Sequence, residues 1–136
     1  MTPAQLTTLT GIILALQFAA FGWRVNREIT VGDRNDRTWL PLPDLLNIIA
    51  LFSVVWFCIV MPLAHNEYGN WSRRALAAGA VLIAFHPLTM AAHYGLPYRK
   101  RRPRRKDGGL VYATLEEFIT LLVSLVVAFI AVRLVG

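Results

Sequence analysis

Four stretches of this chain, residues 1–23, 45–66, 75–98 and 118–132, contain no aspartate, glutamate, lysine or arginine. A soluble domain spreads its charge along the sequence, so this clustering restricts the chain to a small set of folds. The hydrocarbon core of a bilayer is roughly 30 Å thick and takes about 20 helical residues to cross. The first three runs, of 23, 22 and 24 residues, meet that length directly. The fourth reaches it as residues 115–135, with Glu116 and Glu117 at one end and Arg133 at the other, positions from which charged groups extend to the interface. Composition agrees, with 56% hydrophobic and 16% charged residues in 136. The expected fold class is an all-α integral membrane protein, an up-down bundle of four transmembrane helices forming one domain over residues 1–136. The spans are expected at about 3–23, 44–63, 73–96 and 115–135, with loops at 24–43 and 97–114. The first run is read as a span rather than a signal peptide, because no basic residue precedes it and its apolar part exceeds a usual signal core.

Local chemistry marks the helix ends. Thr2-Pro3-Ala4-Gln5 supplies a capping hydroxyl, a proline at the first helical position and a glutamine that can return a hydrogen bond. Thr114-Leu115-Glu116-Glu117 is a second capping box. Asp44 is expected to cap the second helix and Ser72 the third, while Pro62 closes the second and Gly95 with Pro97 the third.

Orientation follows from charge. Arg24, Arg27, Arg34 and Arg37 lie in the first long loop, and Arg99, Lys100, Arg101, Arg102, Arg104, Arg105 and Lys106 in the second, which is 11 of the 14 basic residues. Arg73, Arg74 and Arg133 fall on the opposite side. The positive-inside rule then places both long loops in the cytoplasm and both termini outside. The implied location is the plasma membrane, the inner membrane in a bacterium. The run from 99 to 106 is a candidate site for anionic lipid or a partner, since each juxtamembrane basic residue contributes about 1 kcal/mol near an anionic surface. Nucleic acid is disfavoured, because no aromatic residues interleave with the cluster. Asn70-Trp71-Ser72 matches a glycosylation sequon on the external side. The single cysteine, Cys58, excludes an intrachain disulfide and any CxxC motif.

Several constellations inside the membrane carry possible chemistry. Gly11, Ala15 and Ala19 recur every fourth residue in the first span, as do Thr120, Ser124 and Ala128 in the fourth. Such rows permit close helix contact, within the chain or between copies. Arg24, Asn47, His93, Glu116 and Glu117 share a depth near the cytoplasmic interface and form a candidate polar inlet for protons or ions. Capping is the preferred account of the two glutamates and Asn47. His86 lies in mid-span and is a candidate haem ligand, paired with a symmetry mate or a partner subunit. Its alternatives are a bond to a backbone carbonyl freed by Pro87 and a hydrogen bond to Gln17 at similar depth. No nucleophilic triad, phosphate-binding glycine loop or metalloprotease motif is present, so no enzymatic activity and no cofactor are expected. The leading expectation is an accessory or structural subunit of a membrane complex, contacting anionic lipid or a partner through its basic loop and existing as a homo-oligomer or part of a larger assembly. An oligomeric channel or transporter for ions, protons or a small solute comes second, and a haem-bearing anchor subunit third.

Overall fold

The computed structural model describes residues 2–31, 40–99 and 111–136, and among these every regular element is helical. In chain order they are α1 (Pro3–Val31), α2 (Leu42–Val55), a π-helical stretch (Trp56–Val60), α3 (Met61–His65), α4 (Asn70–His93), the short α5 (Leu96–Arg99) and α6 (Leu115–Val135). Because α2, the π stretch and α3 run on as one rod, the described residues form four helices long and apolar enough to cross a membrane.

Both predicted capping boxes form. The Thr2 amide donates to Gln5 Oε1 at 2.8 Å and the Gln5 amide to Thr2 Oγ1. In α6 the Glu117 amide donates to Thr114 Oγ1 and the Thr114 amide returns to Glu117 Oε2. Gly95 follows the end of α4 with φ of 66°, a left-handed conformation open to glycine, as the Gly95–Pro97 signal implies. The other three expected ends are corrected. The residue before α2 is Pro41, which has no capping side chain, and Asp44 sits inside the first turn. Likewise α4 starts at Asn70 after Gly69. The Ser72 hydroxyl points inward instead, donating to Phe57 O at 2.6 Å. Pro62 does not end the second rod. A proline within a helix lacks its N–H and crowds the carbonyl four residues earlier, and here it follows the π stretch, whose wider turn relieves that crowding. The rod ends only at Asn66, with φ of 55°.

The up-down course follows from contacts between helix ends. Thr7 near the start of α1 meets Tyr68 before α4, and Arg24 late in α1 meets Asp44 at the start of α2 and Tyr94 after α4. The helix α4 is central, packing against α1, α2 and α6. One half of the bundle holds an apolar core of Leu6, Ile13, Val54, Cys58, Ala75 and Leu76. Gly79 lets α2 approach α4 there, since a Cβ at that position would lie 2.7 Å from Val54 Cγ2. Large apolar side chains such as Phe52, Phe118, Leu122 and Phe129 point outward, the distribution expected when the surrounding solvent is hydrocarbon.

An ionic cluster in the other half of the bundle

The inward face of α1 carries Thr10, Gln17 and Arg24, seven residues apart and all buried. Seven residues are close to two helical turns, so each lies about 10.5 Å along from the last on nearly one face. In a lipid-facing helix polar residues turn to the interior, and this row settles which side of α1 packs. Consequently Gly11, Ala15 and Ala19 are exposed, and nothing lies within 4 Å of a Cβ built on Gly11. The expectation that this row joins α1 to its neighbours within the chain is thereby corrected. The α6 row differs: Ser124 and Ala128 are buried.

Arg24 is the hub at the far end of the row. Its Nε donates to Asp44 Oδ2 at 2.8 Å and its Nη1 to the Tyr94 hydroxyl at 2.7 Å, and it pairs with Glu28 one turn on. The remaining carboxylate oxygen of Asp44 meets His86 Nε2 at 2.9 Å. Asp44 therefore bridges two helices from the first turn of α2, where the positive helix end also favours its charge. Arg27 stacks on the Tyr94 ring, its guanidinium carbon 4.0 Å from the centroid. A charged pair removed from water is stable only when its hydrogen bonds are satisfied, and this group supplies them mutually.

A second pair lies one residue from Tyr94. His93 Nδ1 meets Glu117 Oε2 at 2.7 Å, and both side chains are 0% exposed. The capping box holds Glu117 in place, and Thr114 Oγ1 donates to Ala92 O at 2.8 Å, locking the start of α6 to the end of α4. Beyond the pair, His93 Nε2 and Glu117 Oε1 have no hydrogen-bond partner among the described residues, nor do Asn47 Oδ1 or either polar atom of Gln17. Buried polar atoms are ordinarily paired with protein or with water, so these are positions for ordered water.

Of the five inlet residues, the structure joins Arg24 to the Asp44 group and His93 to Glu117. Asn47 is buried in the same half of the bundle, and Glu116 is half-buried beside the capping turn. The predicted Gln17–His86 bond is not made, because Asp44 takes His86 Nε2, and the backbone-carbonyl alternative for that nitrogen fails for the same reason. The His86 nitrogen that the haem reading would use, Nε2, is occupied by the buried Asp44 carboxylate. Sequence reasoning missed Asp44 as an ionic bridge and Tyr94 as a donor's partner. The available signal was an acid and an arginine at the facing ends of consecutive spans. In the basic run, Lys100, Arg101, Arg102, Arg104, Arg105 and Lys106 lie outside the described residues, and Arg99 is described only as the last backbone position of α5.

No family model matches the chain, and no curated protein or solved structure shows significant similarity to it.

Proposed function

We propose that this is a non-enzymatic, multi-pass plasma-membrane protein that moves protons, or a solute coupled to protons, through its bundle. The reading rests on one observation, the sealed His93–Glu117 pair with an unpartnered nitrogen and oxygen behind it. A histidine beside a carboxylate can exchange a proton near neutral pH, and an intramembrane ionisable group is by default a candidate functional site. Burying such pairs for stability alone is poorly motivated, since apolar packing of equal volume is often as stabilising. The Asp44–His86 pair supplies a second exchange point, and Gln17 and Thr10 continue the polar row toward the opposite end. Both termini are assigned outside, which puts the ionic half at the cytoplasmic side, next to the basic loop and its anionic lipids.

The test is proton flux into liposomes containing the purified protein and a pH-sensitive dye, under an imposed gradient. Flux above protein-free vesicles that falls in Glu117→Gln and in Asp44→Asn supports the reading. Folded wild-type protein without flux, or variants with undiminished flux, refutes it.

One observation favours a second reading, an accessory subunit in a homo-oligomer or larger complex. The exposed Gly11, Ala15 and Ala19 form a face suited to another helix. The mass of the intact assembly in mild detergent, with its co-purifying components, decides this.

A further inference from the structure

The end of the bundle remote from the ionic cluster holds a cavity of about 780 Å³ between α1 and the rod of α2 and α3. That volume lies within the range of small-ligand sites, about 300–1,000 Å³. Its body is apolar, with Leu6, Leu14, Ile59 and Leu63 in the walls, and the π stretch contributes Cys58 and Ile59. Glu67 and Arg73 also line it and are exposed. Neither has an ion-pair partner among the described residues, so a carboxylate and a guanidinium face the same opening without neutralising each other. Arg73 also borders a second apolar cleft of about 520 Å³, lined by Leu9, Ile13, Leu76 and Leu134 on the α6 side of α1.

We propose that this end of the bundle binds a zwitterionic two-chain phospholipid of the phosphoethanolamine type. Its phosphate pairs with Arg73 and its ammonium with Glu67, while its chains occupy the two clefts that flank α1. Charge complementarity selects this occupant. An anionic head group satisfies Arg73 but is repelled by Glu67, and a quaternary ammonium cannot donate a hydrogen bond to the carboxylate. The open space at Gly11 belongs to the same cavity, which gives that glycine a role apart from helix contact. The proposal stands independently of proton movement.

Native mass spectrometry of the full chain in mild detergent, titrated separately with phosphatidylethanolamine, phosphatidylcholine and phosphatidylglycerol, tests it. One exposed charge pair is worth at most about five-fold in affinity, so phosphatidylethanolamine is expected to bind about three- to five-fold more tightly than either competitor. Glu67→Gln should abolish that preference over phosphatidylglycerol, and Arg73→Gln should weaken binding of all three phospholipids. Gly11→Leu places a side chain in the cavity where no atom of the fold opposes its Cβ, and should reduce phosphatidylethanolamine binding while far-ultraviolet circular dichroism stays unchanged. Equal binding of the three lipids, or an unaltered preference in Glu67→Gln, overturns the proposal. Because Glu67 is exposed, its variant reports even if Gly11→Leu disturbs folding.

Discussion

Replacing Glu117 by alanine removes two interactions at once. One is the bond from His93 Nδ1 at 2.7 Å, in a place where neither partner touches solvent. The other is the return arm of the α6 capping box, from the Thr114 amide at 3.3 Å; the Thr114 hydroxyl bond to the Glu117 amide survives, being made by backbone. If the pair is neutral, stranding His93 costs about 1–3 kcal/mol. If it is ionised, breaking it costs about 3–5 kcal/mol, because an uncompensated charge stays buried. The lost cap adds roughly 0.5–1 kcal/mol. The expected destabilisation is therefore about 1.5–4 kcal/mol for a neutral pair and about 3.5–6 kcal/mol for an ionised one. Glu117→Gln keeps an acceptor for His93 and for the cap, so it should cost clearly less than alanine. Reversible unfolding in mixtures of mild detergent and dodecyl sulfate, followed by tryptophan fluorescence, gives these differences. Adding His93→Ala completes a double-mutant cycle, in which residues in direct contact couple by about 0.5–3 kcal/mol. A Glu117→Ala protein within about 1 kcal/mol of wild type, a loss smaller than the expected total for either form of the pair, or additive single variants, would refute the buried pair and weaken the case for proton movement.

Gly79→Ala should destabilise by about 1–3 kcal/mol, since the new methyl displaces the fully buried Val54; the same unfolding assay measures it, and an unchanged midpoint means that α2 and α4 do not approach so closely. Ala15→Leu, on the exposed face of α1, should leave monomer stability unchanged and shift only the oligomeric mass in mild detergent, if that face joins copies. Neutralising Arg101, Arg102, Arg104 and Arg105 should weaken binding of a peptide covering residues 98–107 to anionic vesicles by at most about 4 kcal/mol, an effect mimicked by salt; binding indifferent to lipid charge rules out lipid as its target. A cysteine placed between residues 99 and 106 should resist an impermeant reagent in intact cells, and labelling there reverses the assigned orientation.

The four long helices were legible because a charge-free run of this length has few alternatives to a single apolar helix. The two capping boxes and the Gly95 terminus were equally plain, since each is a local pattern whose partners lie within a few residues. Side-chain pairing across helices was not. Asp44 follows Pro43 in a pattern that also suits a cap, and only the position of α1 shows that Arg24 reaches it first. Gln17 and His86 match in depth, but depth does not fix azimuth around a helix, and a carboxylate is the stronger acceptor for the imidazole. Small residues misled on α1 because Gly11, Ala15 and Ala19 are as acceptable to lipid as to a neighbouring helix. The polar row of Thr10, Gln17 and Arg24 carried the better information, since each of those side chains is costly to leave in hydrocarbon.

The π-helical stretch Trp56–Val60 bears on how the second rod tolerates change. A π turn holds about one residue more than an α turn, so the stretch behaves as a single-residue insertion absorbed without a loop. Each residue of an α-helix turns the chain by about 100°, and the extra one offsets the phase of everything beyond it by that amount. Asp44 and Asn47 on one side, and Pro62 and Leu63 on the other, are thus set to their own neighbours by separate phases. Loss of one residue from the stretch would restore a continuous α-helix with Pro62 and Leu63 still turned toward the cavity, and Asp44 would keep its place between Arg24 and His86. A one-residue deletion within the π stretch would thus be silent at both ends of the rod, whereas the same deletion in its α-helical part would turn one end by about 100° against the other.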